Sequence, residues 1–227
     1  MAHEGEGNYL SDSATVNKIY GYLEHNQLDS AIAHIKGLGD DKTVAQTWIN
    51  IQCDINNVKQ DPKLSAVIGN AGVDFMLDKG FKVGAAVMLH NIFAFFTQNF
   101  DEKVDPEAIP FILDASRRQV PLRREAGQPG PLMWAHWDLG IAELAAGNAN
   151  EAIQTLEEGV KIAKEQDDKN GAAWCEIFIG KAKVKYLPEL KAQSEAQMRN
   201  AAQIIRDTGQ DWEKESVTQI LQSAGLH

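Results

Sequence analysis

The densest concentration of chemically capable side chains is a group of four arginines. Arg117, Arg118, Arg123 and Arg124 lie within eight residues, in a chain with six arginines in all. A guanidinium offers paired, planar N–H donors that match phosphate and carboxylate oxygens. The cluster therefore predicts a site for an anion or an acidic partner face. Its structural alternative is a helix end, where positive charge complements the dipole. Aromatic residues form the second group. Trp134, His136 and Trp137 cluster on one segment, and residues 134 and 137 are one helical turn apart. Trp174 and Trp212 stand near the starts of later segments. Such rings either pack between helices or grip a peptide.

Other chemistry is not signalled. The sequence has no HExxH, GxSxG, Walker or GxGxxG motif. Of the six histidines, His3, His25, His34, His90, His136 and His227, no two have the spacing of helical metal ligands. Cys53 and Cys175 are far apart and belong to no CxxC pair. The acidic pairs Asp40/Asp41, Glu157/Glu158 and Asp167/Asp168 fit helix caps and solvated surface. The expectation is a chain without catalytic residues, metal or cofactor, and so not an enzyme.

Composition narrows the partners. The 227 residues carry a net charge of −10 and are 44% hydrophobic, with a pI near 5.1. An acidic chain of this kind is disfavoured as a general binder of nucleic acid or membrane surface. Residues 83–100 carry no formal charge but include His90, Asn91, Thr97, Gln98 and Asn99. These polar groups are costly in lipid, so the segment reads as a buried helix rather than a membrane span. Two unpaired thiols and no secretory leader in MAHEGEGNYLSDS predict a cytoplasmic protein.

The elements that must position these side chains are all helical. Apolar residues recur at three and four along nearly the whole chain, with no series of alternating strands. About eleven helices are expected. Residues 1–12 read as a flexible lead-in and 13–118 as an N-terminal helical lobe. Five of the seven prolines fall between Pro106 and Pro131. Proline lacks an N–H and cannot extend a helix ladder, so residues 119–130 read as a loop or hinge. Residues 131–227 form the C-terminal helices, the last capped by Asp211.

The segment His136 to Gly159 holds Leu139–Gly140, then Gly147, then Ala152, Leu156 and Gly159. Small residues at 140 and 152 would let two antiparallel helices approach, with Gly147 in the tight turn between them. A related stretch follows 42 residues on, with Ala152, Leu156 and Gly159 meeting Ser194, Met198 and Ala201. Further upstream, Asn26 with Leu28, Ala31 and Ile35, and Gly80 with Ala85 and Leu89, give degenerate versions. This pattern resembles the tetratricopeptide repeat family, best over residues 131–223. The resemblance implies an all-α, right-handed superhelix of antiparallel helix pairs, an α-solenoid. It also implies a scaffold that binds a protein or peptide in a concave groove. On that reading Trp134, Trp137, Asp138, Glu143 and Trp174 would line the groove. The alternatives are a regulatory protein sensing a ligand or peptide, and an anion-binding module using residues 117–124. A homo-oligomer is left open.

Overall fold

The computed structural model describes residues 13–97 and 104–226. The lead-in predicted for residues 1–12 lies outside them, as do His3 and His227. Eleven α-helices and one short 3-10 turn make up the described residues, with no strand among them. The chain divides into two compact units, Met1–Asn91 and Ile92–His227.

The first unit holds α1 (Ser13–Glu24), α2 (Leu28–Lys36), α3 (Asp41–Lys59), α4 (Pro62–Asp78) and most of α5 (Lys82–Phe96). Asp40 starts α3 by accepting from the backbone N–H groups of Lys42 and Thr43 at 3.0 and 2.9 Å. Asp61 does the same for Leu64 at 2.9 Å, with Pro62 in the first turn. Ile35, Val44, Trp48, Ile51, Ile55, Met76 and Leu89 are buried in its core. Gln52 ties three helices together from inside that core. Its amide donates to the Met88 carbonyl at 3.0 Å, and its own carbonyl accepts from the Ser65 hydroxyl at 2.9 Å. The α4–α5 contact is reciprocal: Met88 lies over Gly72 and Met76 over Gly84. A Cβ at either glycine would come within 2.7 Å of the methionine sulfur.

The second unit continues with α6 (Ile109–Glu125), α7 (Pro129–Ala145), α8 (Ala149–Glu165) and α9 (Lys169–Tyr186). A 3-10 turn (Pro188–Leu190) then leads into α10 (Lys191–Thr208) and α11 (Asp211–Ser223). Each helix packs on the next, and α7 also touches α9. This is the arrangement of antiparallel pairs that the repeat pattern implied.

One turn geometry recurs. Gly127, Gly147 and Asp167 have φ of 62°, 81° and 55°, and each reverses the chain. The next residue donates its N–H back into the preceding helix, as Asn148 does to the Glu143 carbonyl at 2.8 Å. Asn26 and Gly80 occupy the same position in the first unit, with φ of 55° and 76°. The left-handed conformation suits glycine and is tolerated by Asn and Asp, which explains the residue types. Close helix approach recurs as well. A Cβ on Gly140 would overlap Leu156 Cγ, and one on Gly180 would overlap Met198 Cγ.

Two expectations need correction. Residues 119–125 are not loop but the last turns of α6, which runs through Pro121. Pro121 leaves the Arg117 carbonyl without its helical donor, but both residues are exposed, where water can replace it. The opposite face, with Gln119, Val120 and Arg123, is buried. Only 126–128 form the turn, and the two units divide at Asn91/Ile92 inside α5 rather than at a hinge over 119–130. Likewise Asp211 does not cap the last helix. Gln210 is the N-cap, in a capping box with Glu213.

Candidate functional site

The N-terminal halves of α7, α9 and α11 carry a ladder of indole rings. Trp134 meets Trp137 edge-on with centroids 5.6 Å apart. Trp137 meets Trp174 edge-on at 6.3 Å, and Trp174 stacks on Trp212 at 6.5 Å. The even repeat of helix plus turn is the cause. It brings every second helix back in the same direction, so the N-terminal ends of α7, α9 and α11 lie side by side.

The ladder is buried in its middle and half-exposed at its ends. Trp137 and Trp174 are 3% and 1% exposed, while Trp134 and Trp212 keep part of their surface in water. Trp137 is covered by Phe93 and Phe178, edge-on at 6.1 and 5.6 Å. The Trp174 indole N–H donates to Glu213 Oε1 at 2.8 Å. Glu213, 5% exposed, also accepts from the Asn170 amide at 2.7 Å and, through Oε2, from the Gln210 backbone N–H at 2.7 Å. One carboxylate thus joins the start of α9 to the start of α11.

Four of the five residues expected to line a groove are therefore interior. Trp137 and Trp174 are core, Asp138 is 0% exposed and Glu143 is 6% exposed. The reason is that α7 and α9 are covered on nearly every side, a feature their weak amphipathic pattern carried. Of the predicted set, only Trp134 is open to a partner. Trp212, outside that set, joins it.

The arginines do not converge either. Arg123 is buried, and its Nη1 donates to Gln128 Oε1 at 3.3 Å. Burial lowers its pKa, with Asp138 opposing that shift as a counter-charge inside the α6–α7 contact. Arg118 pairs with Asp114 at 3.2 Å, one turn back on α6. Arg117 and Arg124 are exposed and share the outer face of α6. The four guanidinium groups thus form no single anion site.

Sequence reading named Glu143 and His136 but not the charged groups on neighbouring helices that act on them. Glu143 on α7 accepts from the Thr155 hydroxyl on α8 at 2.8 Å. Burial raises its pKa, the Thr155 bond and Arg117 lower it, and Glu151 raises it further. His136 lies two turns earlier on α7. Burial and then Arg124 push its pKa down, against the pull of Glu158. Arg117 and Glu151 thus both act on Glu143, and Arg124 and Glu158 both act on His136. No sequence motif announces this, because the partners come from three different helices.

The remaining candidates hold little chemistry. Burial, with Asp54, raises the Cys53 thiol to about 11. Cys175 is fully buried, with its thiol pKa pushed up chiefly by burial. Neither is an activated nucleophile at neutral pH. Among the described residues no three His, Cys, Asp or Glu side chains are grouped to hold a metal ion. No helix of the described residues is long and apolar enough to cross a membrane. An open cleft of about 250 Å³ at the α8–α9 turn has Ala172, Ala173 and Ile204 in its lining, with Lys164 and Glu176 paired across it at 3.5 Å.

No protein-family model matches the chain, and no curated protein matches it. Solved structures do. One is a signal transduction ATPase with numerous domains from Pyrococcus horikoshii, which has a tetratricopeptide repeat sensor. It aligns with a TM-score of 0.58 at 13% identity. The match covers 85% of this chain and 29% of that one, so the chain spans less than a third of that protein's length. Tetratricopeptide-like repeats of a putative kinesin light chain from Podospora anserina align over 93% of this chain and 95% of that one. Their identity is 12% and the TM-score 0.30. The fold is thus that of a tetratricopeptide-like helical repeat, all-α and built from antiparallel helix pairs.

Proposed function

We propose that the chain is a non-catalytic scaffold that holds a protein or peptide partner. The partner docks across the N-terminal halves of α7, α9 and α11. The observation that carries this reading is the indole ladder, whose half-exposed ends, Trp134 and Trp212, flank a rigid, buried middle. Partly exposed tryptophans held by packed neighbours are favourable anchors, since little side-chain entropy is lost on binding. Helical repeats commonly use such extended surfaces for recognition. The fold by itself constrains function weakly, so the anchors and not the architecture bear the argument.

The test is affinity capture from the native host with the immobilised full chain, read by mass spectrometry. Trp134→Ala and Trp212→Ala are run beside it, with circular dichroism to confirm folding. Partners that are retained by the wild type and lost by both folded variants support the reading. Partners retained equally by all three chains contradict it.

A further inference from the structure

The cleft of about 250 Å³ lies where the end of α8, the start of α9 and the later part of α10 meet. Lys169, Ala172, Ala173 and Glu176 face it from α9, at the three-and-four spacing of one helical face. Lys164 and Asp167 bound it from the α8 side, and half-buried Ile204 bounds it from α10. Its floor is apolar and well covered, with Ala172 7% and Ala173 1% exposed. The preceding repeat shows why there is room. α7 begins at Pro129 and α9 at Lys169, and Gly127 and Asp167 hold the same left-handed turn position, so equivalent residues are forty apart. Ala172 and Ala173 stand where that repeat has Leu132 and Met133. Two long side chains are thus cut back to methyl groups. At the rim the change runs the other way: Asp167 and Lys169 stand where that repeat has Gly127 and Pro129.

We propose that this cleft binds a small zwitterion, an α-amino acid with an apolar side chain. Charge decides the class. Lys164 and Glu176 neutralise each other across the cleft at 3.5 Å. Among the described residues, no ion pair or side-chain hydrogen bond holds the Asp167 carboxylate or the Lys169 ammonium. One charge of each sign therefore stands beside an apolar floor. A pure cation would leave Lys169 unmatched, and a pure anion would leave Asp167 unmatched. Both groups stand at the turn into α9, two residues apart, and an amino acid carries its two charges on one carbon. Its ammonium meets Asp167, its carboxylate meets Lys169, and its side chain covers Ala172, Ala173 and Ile204. The volume agrees, since pockets for drug-sized ligands begin at about 300 Å³ and this one is smaller. An open cleft and a ligand of few atoms set the affinity near about 1 mM. The site also accounts for a cost in the turn. A φ of 55° suits aspartate less than it suits the glycines of the two preceding turns, and a carboxylate that grips a ligand repays it.

Amide NMR titration of the full chain tests this with leucine, methionine and phenylalanine as probes, each to about 20 mM, well above the expected affinity. Saturable shifts confined to the residues of the cleft are expected for at least one of them. The N-acetyl derivative of that amino acid lacks the ammonium, and its amide lacks the carboxylate. Each should bind about fivefold more weakly than the parent, the loss of one exposed ion pair. Asp167→Asn should remove the penalty for N-acetylation, and Lys169→Gln that for amidation. Ala172→Leu, which restores the bulk of the preceding repeat, should abolish binding. Asp167 and Lys169 are exposed, so their variants keep the fold whatever becomes of Ala172→Leu, and circular dichroism confirms it. No saturable shift with any of the three probes overturns the proposal. So do derivatives that bind as tightly as the parent, or Asp167→Asn and Lys169→Gln chains that bind and discriminate like the wild type. No protein partner enters these measurements, so the scaffold reading is tested separately.

Discussion

Replacing Glu213 by alanine should loosen the joint between α9 and α11 more than any surface change of similar size. The carboxylate accepts three hydrogen bonds, from Trp174, Asn170 and the Gln210 backbone, at 2.7–2.8 Å. A charge-assisted bond contributes about 1.5–3 kcal/mol. The three do not add in full, because the Asn170 amide and the Gln210 N–H are near the surface and water can replace their partner. The Trp174 indole is 1% exposed, so its N–H loses an acceptor that water does not easily supply. That costs about 1–3 kcal/mol, and the lost capping box about 1 kcal/mol more. A total near 2–4 kcal/mol follows. Urea unfolding followed by tryptophan fluorescence and circular dichroism measures it. Trp174→Phe removes the same donor, so the double variant should show a coupling of about 1–2 kcal/mol. A loss below about 0.5 kcal/mol, or a coupling near zero, would refute the assignment of Glu213 as the joint.

Further outcomes follow from the same contacts. Gly140→Ala should cost about 1–3 kcal/mol in urea unfolding, because the added methyl overlaps Leu156; Gly180→Ala should cost a similar amount, since its methyl overlaps Met198 Cγ and crowds the Ser194 backbone carbonyl. Asp167→Gly should stabilise the second unit by several tenths of a kcal/mol, and Gly147→Ala should destabilise it by about 1 kcal/mol, since both sit at positive φ. His136 has a folded pKa below its ordinary 6.5, so the unfolded chain binds more protons and its contribution to stability is lost as pH falls through and below 6.5. Glu143, with its pKa raised above 4.5, works in the opposite sense, its contribution being lost as pH rises through the carboxylate range. Melting temperatures between pH 5 and 7 should therefore fall less steeply with acid in His136→Phe than in the wild type. Equal slopes would remove His136 from the account.

The fold was legible in the sequence wherever one residue type has one structural meaning. Gly147 and Gly80 marked turns because positive φ leaves few alternatives, and Gly140 with Leu156 marked a close helix approach. Asp167 was read as a surface carboxylate, since its left-handed turn is less distinctive than a glycine. Gly180 escaped because its offset from Gly140 is 40 residues while the α8–α10 offset is 42. The difference arises where the 3-10 turn joins α9 to α10. Pro121 misled for a physical reason. A proline forbids its own N–H bond, but on an exposed helix face that loss is small beside the packing of Gln119, Val120 and Arg123. The site was less legible than the fold. Tryptophan on a helix reads alike whether it is core or anchor, and what separates Trp137 from Trp134 is the cover supplied by Phe93 and Phe178. Glu213 had a signal that was overlooked: the spacing Gln210-x-x-Glu213 is that of a capping box.

Hydrogen–deuterium exchange of the full chain, free and with a partner captured from its host, tests the scaffold claim most directly. The first N–H groups of a helix lack intrahelical acceptors and exchange readily unless covered. Binding should slow exchange at Gly130 and residues 132–134 of α7, 169–174 of α9 and 211–214 of α11, leaving the outer faces of α8 and α10 unchanged. Protection on those outer faces, with the three first turns unaffected, would contradict the account.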